Sequence, residues 1–128
     1  MRVLIAEDDV LIGMLLRELL TAMGHEVCAT ALTEGHAVTA AIQNRPDLMI
    51  VDARLGEGSG ISAVEQILRT TAPIAHLFVS GDARAVLARH PGAVVVRKPF
   101  REIELVRGIE IALVAAAGRA SGRSRDSH

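Results

Sequence analysis

Six polar residues could carry out chemistry together, because each lies just past a short apolar run. They are Glu7, Asp8, Asp9, Asp52, Ser80 and Lys98. Adjacent carboxylates repel one another unless a cation neutralises them, and carboxylate oxygens completed by water and phosphate oxygens suit Mg²⁺. An aspartate can attack a phosphoryl group, while an ammonium and a hydroxyl contact the phosphoryl oxygens. The residue types therefore indicate Mg²⁺-dependent phosphoryl chemistry on a carboxylate.

Each of these residues also has an ordinary structural interpretation when it is taken alone. Acids after a strand are often solvated turn residues, and Asp52 could cap a turn. Ser80 could be a strand-end hydroxyl, and Asp9 is interpreted as a helix N-cap. Their shared position, at the ends of four separate runs, is what favours a common site.

The apolar runs have the length and composition of buried parallel strands. We expect strands at residues 2–6, 25–30, 47–51, 75–79 and 93–96. In an open parallel sheet, ligands bind beyond the carboxyl ends of the strands. The polar residues should therefore converge at one edge of the sheet.

Segments of helical period separate the strands. We expect helices at about residues 12–23, 33–44, 59–72, 82–90 and 100–117. Thr33 and Ser59 are candidate N-caps, Gly24 is a candidate left-handed C-terminal cap, and Pro46 and Pro91 stop the segments before them. Five strands alternating with five helices predict an α/β fold with right-handed crossovers.

The composition narrows the function classes. The chain has two aromatic residues, Phe78 and Phe100, so the core must be aliphatic. A net charge of -1 argues against a general nucleic-acid binder. The single cysteine, Cys28, is expected to be buried and unreactive. Without a membrane span or a signal peptide pattern, we expect a cytoplasmic protein that does not bind membranes.

Four segments resemble the receiver domains of bacterial response regulators, and the resemblance covers about residues 2–117. The segments are VLIAEDD, DLMIVDARLGEGSG, FVSG and RKPF. The resemblance implies a flavodoxin-like, doubly wound (βα)5 domain with a five-stranded parallel sheet in the order 2-1-3-4-5. We expect a stand-alone receiver domain at residues 1–117, followed by a disordered polar tail at residues 118–128.

The resemblance also assigns roles to residues. It implies that Asp52 accepts a phosphoryl group, with Ser80 and Lys98 as the further catalytic residues that contact that group. It also implies a cis peptide bond between Lys98 and Pro99.

The implied cofactor is Mg²⁺. Asp8 and Asp52 would bind the metal directly, and Glu7 would help through water. The backbone carbonyl of Arg54 would be a further metal ligand.

The implied function is that of a phosphorelay switch, not of an enzyme acting on other substrates. A histidine kinase or phosphotransfer protein would donate the phosphoryl group, and a downstream protein partner would respond, without direct DNA binding. The alternatives are a phosphorylation-independent pseudo-receiver and an aspartate-nucleophile phosphatase. Such a phosphatase normally has an acid at the place where Arg54 stands. A dinucleotide site is disfavoured, because the first strand is followed by AEDDV instead of a glycine-rich turn.

Three departures from the family pattern concern the switching mechanism. Val95 stands where an aromatic residue is usual, the stretch from Ser80 to Lys98 is short, and LGEGSG replaces the usual proline. With FVSG, these features are similar to a proteobacterial subgroup that has a Phe-Ala-Thr-Gly motif. Arg54 and Asp82 could pair across the mouth of the site and slow hydrolysis; otherwise Asp82 only caps the fourth helix.

The fifth helix is predicted to carry apolar residues on both sides. Ile103, Ile111 and Val114 fall on the side away from the sheet, among charged residues. Exposed apolar residues rimmed by charges often mark contacts. We therefore expect a homodimer or partner surface on this helix.

Overall fold

The computed structural model describes residues 1–126, with side chains through residue 119. Its strands are β1 (Arg2–Ala6), β2 (Glu26–Ala31), β3 (Leu48–Asp52), β4 (Ala75–Ser80) and β5 (Val95–Arg97). Its helices are α1 (Val10–Ala22), α2 (Glu34–Asn44), α3 (Gly60–Thr70), α4 (Ala83–Arg89) and α5 (Glu102–Asp126). The predicted alternation of strands and helices is confirmed, including a short fourth helix.

The five strands form one parallel sheet in the order β2-β1-β3-β4-β5, which confirms the predicted flavodoxin-like topology. Asp52, the last residue of β3, is in register with Val79 of β4. Ser80, the last residue of β4, is in register with Arg97 of β5. The register therefore brings the carboxyl ends of β3, β4 and β5 to one edge of the sheet.

The core consists of two apolar layers, one on each face of the sheet. Alternate residues of β3 point to opposite faces, as strand geometry requires: Met49 lies in one layer and Ile50 in the other. Helices α2, α3 and α4 cover the first layer, and α1 and α5 cover the second. Phe78 is the largest fully buried side chain, so the core is otherwise aliphatic, as predicted.

Side-chain caps begin the first four helices. In each case the cap side chain accepts hydrogen bonds from backbone N–H groups of the first turn, and the caps are Asp9, Thr33, Ser59 and Asp82. The predicted caps Asp9, Thr33 and Ser59 are confirmed. Gly24 follows α1 with a φ of 90°, the left-handed conformation predicted for it.

Helix α5 continues to Asp126, past the predicted end at Ala117. Residues 118–126 are therefore helical in the structure, where a disordered tail was predicted. No proline interrupts this segment, and a glycine inside a helix costs only about 1 kcal/mol relative to alanine. Residues 127 and 128 of the predicted tail lie outside the described residues. No helix within residues 1–126 is long and apolar enough to cross a membrane.

Cys28 lies on β2 and is half-buried, less buried than predicted. Its Sγ donates a hydrogen bond to the carbonyl oxygen of Val3 at 3.5 Å. Burial raises the pKa of the thiol above its ordinary value. Because the thiolate is the reactive form, this environment disfavours reactivity at Cys28.

Candidate functional site

Asp52 occupies the centre of the polar edge because it ends β3, the central strand of the sheet. Its side chain is buried, with 8 % of the residue exposed. Oδ1 accepts a hydrogen bond from the backbone N–H of Arg54 at 2.9 Å, and Oδ2 accepts one from Lys98 Nζ at 2.9 Å. Both carboxylate oxygens are therefore held in place by the chain.

Lys98 joins two acids that come from different strands. Its Nζ lies 2.9 Å from Asp52 Oδ2 and 2.8 Å from Glu7 Oε1. The backbone N–H of Lys98 donates to the carbonyl oxygen of Ser80, which fixes the residue just past β5. Burial lowers the pKa of Lys98, but the carboxylates of Glu7 and Asp52 outweigh burial and hold it above its ordinary value. The predicted cis peptide bond between Lys98 and Pro99 is confirmed.

Glu7 follows β1 and is almost completely buried. Its Oε2 accepts a hydrogen bond from the backbone N–H of Asp9 at 3.2 Å. Its Oε1 is close to the Lys98 ammonium but outside hydrogen-bond geometry, and it has no hydrogen-bond partner in the described part of the chain. Burial raises the pKa of Glu7 to about 7, with a further rise from Asp52, while Lys98 acts in the opposite direction.

Three carboxylates meet closely enough to hold a metal ion. Glu7, Asp8 and Asp52 each offer one oxygen, and these oxygens all lie within 4.8 Å of one another. With all three acids ionised, one ammonium leaves two negative charges, which a divalent cation would balance. Glu7 Oε1 lacks a hydrogen bond, and a bound cation would favour the ionised form of this acid. Asp8 is exposed, which leaves room for water and phosphate oxygens. The residues therefore fit Mg²⁺.

Ser80 lies at the same edge, but its hydroxyl is engaged in a local turn. Its Oγ donates to the carbonyl oxygen of Asp82 at 2.8 Å and accepts from the backbone N–H of Asp82 at 3.1 Å. The side chain is buried, with 4 % of the residue exposed. The structure thus brings Ser80 to the predicted edge and commits its hydroxyl to the start of α4.

Of the two alternatives for Asp82, the structure shows the cap of α4 and not the pairing with Arg54. Asp82 binds Arg84, with Nε at 3.0 Å from Oδ1 and Nη2 at 3.2 Å from Oδ2, and it caps α4 through the backbone N–H of Arg84. These contacts with Arg84 lower the pKa of Asp82. A partner two residues away is favoured, because a local pair orders less chain than a pair across the site.

Gly60, the last glycine of the segment DLMIVDARLGEGSG, and Glu34, which the sequence did not single out, have structural roles around the residues that follow Asp52. Gly60 is needed because a Cβ there would overlap the carbonyl oxygen of Asp52. Glu34 accepts hydrogen bonds from the backbone N–H of Ser59 at 2.8 Å and from Gln66 Nε2 at 2.6 Å. Its only signal in the sequence is an acid in the first turn of a helix, which is common because it suits the helix dipole.

A family model described as the response regulator receiver domain matches residues 3–110. The chain belongs to this family. It is similar to the transcriptional regulatory protein PdtaR of Mycobacterium tuberculosis, with 38% identity over 88% of this chain and 56% of that protein. The phyllosphere-induced regulator PhyR of Methylorubrum extorquens is 33% identical over 98% of this chain and 47% of that protein. The chain thus spans about half the length of these curated relatives.

A solved receiver domain has the same fold. The solution NMR structure of the Erythrobacter litoralis PhyR response regulator REC domain has a TM-score of 0.79 to this structure and 34% sequence identity. The match covers 88% of this chain and 89% of that one. The predicted family is confirmed, and so is the predicted function as a receiver domain in two-component signal transduction. Receiver domains generally bind Mg²⁺, and the acidic cluster of this one is suited to that ion.

Proposed function

We propose that this receiver domain accepts a phosphoryl group on Asp52 from a histidine kinase or phosphotransfer protein, in a Mg²⁺-dependent reaction. The environment of the Asp52 carboxylate is the observation that supports the proposal. It contacts the Lys98 ammonium and lies within 4.8 Å of oxygens from two further acids. This combination of nucleophile, cation and metal-binding oxygens is what phosphoryl transfer to a carboxylate requires.

In the proposed reaction, an Asp52 carboxylate oxygen forms a bond to phosphorus. The bond from phosphorus to the donor's imidazole nitrogen breaks, and its electron pair stays on that nitrogen. Lys98, already hydrogen-bonded to Asp52, moves its ammonium onto a phosphoryl oxygen. Asp8, Asp52 and the Arg54 carbonyl would hold Mg²⁺ directly, and Glu7 would hold it through water. The ion would supply positive charge that screens the approach of the anionic donor.

Ser80 provides the proposed link between phosphorylation and output. To contact a phosphoryl oxygen, its hydroxyl must leave the carbonyl oxygen of Asp82. Asp82 caps α4, so this exchange disturbs the start of that helix. Val95 stands where an aromatic residue is usual, so no aromatic ring at this position can link phosphorylation to output. In this proposal the turn from Ser80 to Asp82 makes that link instead.

The proposed output is a contact with a downstream protein partner in the cytoplasm. Residues 1–126 form a receiver domain, and a protein surface of this domain is the means of output that we propose. We propose no enzymatic activity beyond phosphorylation and dephosphorylation of the chain itself.

The test uses the full chain with Mg²⁺ and acetyl phosphate as a small phosphodonor. Intact-mass spectrometry should show one added phosphoryl group. This label should not appear when Mg²⁺ is chelated before the donor is added, nor in Asp52→Asn. Asp9→Asn is the matched control, because Asp9 caps α1 and asparagine is an equally good cap. Equal labelling of Asp52→Asn would show that the acceptor is another residue. A folded parent that takes no label would instead be a pseudo-receiver, an interaction module that works without phosphorylation.

A further inference from the structure

The loop between β3 and α3 (residues 53–59, the β3–α3 loop) carries the Arg54 carbonyl that we assign to the metal. We infer that Glu34, at the start of α2, is a positioning residue for this loop: its carboxylate holds the loop so that Asp52 and the Arg54 carbonyl can bind Mg²⁺ together. This inference rests on the proposed function of Asp52. Its evidence lies in the contacts between α2 and the loop.

Glu34 makes three hydrogen bonds that tie α2 to the β3–α3 loop and to α3. Its Oε1 accepts from the backbone N–H of Ser59 at 2.8 Å, and its backbone N–H donates to the carbonyl oxygen of Glu57 at 3.0 Å. Its Oε2 accepts from Gln66 Nε2 at 2.6 Å. One half-buried carboxylate thus contacts both the end of the loop and the helix that follows it.

The loop passes directly over this carboxylate. Gly58 has a φ of 93°, and a Cβ at this position would lie 2.5 Å from Glu34 Oε1. The position therefore requires glycine both for its left-handed backbone and for the close approach of Glu34. The backbone of the loop and the Glu34 carboxylate are therefore in close contact, with no room for a side chain between them.

A short series of contacts leads from Glu34 to Asp52. Ser59, which Glu34 binds, forms an isolated antiparallel bridge with Arg54. The backbone N–H of Arg54 donates to Asp52 Oδ1 at 2.9 Å. Movement of Ser59 would therefore displace Arg54, the residue whose carbonyl we assign to the metal.

The composition of the loop explains why such a tether is needed. The stretch from Leu55 to Gly60 contains three glycines and no proline, so its backbone loses much conformational entropy on ordering. Hydrogen bonds to a carboxylate are stronger than those between neutral groups, and here one carboxylate accepts two. Glu34 supplies from α2 the restraint that the loop lacks.

The test measures the Mg²⁺ dependence of Asp52 phosphorylation by acetyl phosphate in Glu34→Ala. We expect the half-saturating Mg²⁺ concentration to rise by about three- to tenfold. Loss of one charge-assisted hydrogen bond corresponds to about tenfold or more, and only part of this loss is passed on to the Arg54 carbonyl. At saturating Mg²⁺ the rate should return to within about twofold of the parent. A variant that was only less stable would leave half-saturation unchanged.

Hydrogen exchange in the metal-free protein provides a second measurement. The Ser59 amide donates to Glu34, so it should exchange about tenfold faster in Glu34→Ala than in the parent. Glu57→Ala is the matched control, because it removes the same charge from an exposed side chain of the same loop. Glu34→Gln should hold the loop nearly as well as the parent does. Its amide oxygen can still accept from Ser59, and its NH₂ can donate to the Gln66 side-chain amide once that amide has turned over.

The results separate the two proposals. If Glu34→Ala matches Glu57→Ala in half-saturation and in Ser59 exchange, Glu34 does not position the loop. If the parent takes no phosphoryl group, the proposed function fails. Calorimetric Mg²⁺ binding and Ser59 exchange then still decide whether Glu34 orders the loop.

Discussion

Asp8 and Asp9 are adjacent acids with the same chemistry and different surroundings. Asp9 Oδ1 accepts hydrogen bonds from the backbone N–H groups of Leu11 and Ile12, so its carboxylate is committed to starting α1. Asp8 is exposed and contributes one oxygen to the cluster with Glu7 and Asp52. The fold thus separates a metal-binding role from a capping role within two residues.

We predict that Asp8→Asn weakens Mg²⁺ binding by about tenfold or more, whereas Asp9→Asn changes it by less than about twofold. The first change removes a charged ligand from the cluster, and a tenfold loss corresponds to only about 1.4 kcal/mol. The second replaces one good N-cap by another. Isothermal titration calorimetry with MgCl₂ measures both, and equal losses would contradict the assignment of Asp8.

The sequence predicted the main residues of the site because one rule of sheet geometry places them. Asp52, Glu7 and Lys98 lie at or just past the ends of strands whose carboxyl ends must share an edge. The rule does not specify what each side chain contacts. The hydroxyl of Ser80 binds the nearby backbone, and the carboxylate of Asp82 binds the side chain of Arg84. Residue spacing does not show that such local partners compete with contacts across the site.

At the scale of the elements, the strands could be predicted to within about two residues, since buried parallel strands are continuous apolar runs. The face of α1 was less certain. The helical spacing in the sequence predicts an inner stripe of Ile12, Leu15, Leu16, Leu19 and Met23. However, Leu15 is 45% exposed, and Leu20 is fully buried. Pairs of adjacent leucines lie about 100° apart on a helix, so periodicity alone does not decide which member faces the sheet.

The predicted faces of α5 are confirmed in most positions. Leu105, Ile109 and Ala112 are buried against the sheet. A rotation of 100° per residue predicts an inner arc of Leu105, Val106, Ile109, Ala112, Leu113 and Ala116. Ile103, Ile111 and Val114 are exposed, as predicted, but so is Leu113. Leu113 lies at the edge of that arc, where a small rotation of the helix exposes a side chain. The outer face of α5 therefore carries apolar residues at 47–73% exposure.

We predict that this outer face forms a homodimer contact, so Ile111→Glu and Val114→Glu should lower the mass of an oligomeric parent to that of the monomer. A buried charge without a partner opposes association strongly. Multi-angle light scattering measures the mass. Leu11→Glu is the matched control, because Leu11 is equally apolar and 77% exposed on α1. An unchanged mass in both α5 variants would rule this surface out.

A cluster of acids and a cavity with basic groups lie at different places along the sheet. The acids Glu7, Asp8 and Asp52 gather at the carboxyl edge. An open cavity of about 380 Å³ near the start of β4 is lined instead by basic groups, which are His76, Arg89, His90 and Arg119. The only acid bound to these groups in the described structure is Glu65, which accepts hydrogen bonds from Arg89 and His90.

His76 is the group in this cavity that makes the stability of the whole fold sensitive to pH. Its Nδ1 lies 2.9 Å from the carbonyl oxygen of Ile74, and its ring packs edge-on against Phe78. Burial lowers the pKa of His76 below its ordinary value of 6.5, and the positive charges of Arg119 and His90 lower it further. The folded protein therefore binds a proton at His76 less readily than the unfolded chain does.

We predict that, as the pH falls, the free energy of unfolding of the parent decreases relative to that of His76→Gln. Because the pKa is lowered on folding, the unfolded state takes up the proton first, and the His76 contribution falls as the pH drops below about 6.5. Glu7, whose pKa is raised to about 7, acts oppositely in this range, but its contribution is common to parent and variant. Urea unfolding from pH 7.5 to pH 5 should therefore show the parent losing stability relative to His76→Gln. Parallel curves for the two proteins would show that His76 binds protons equally in both states.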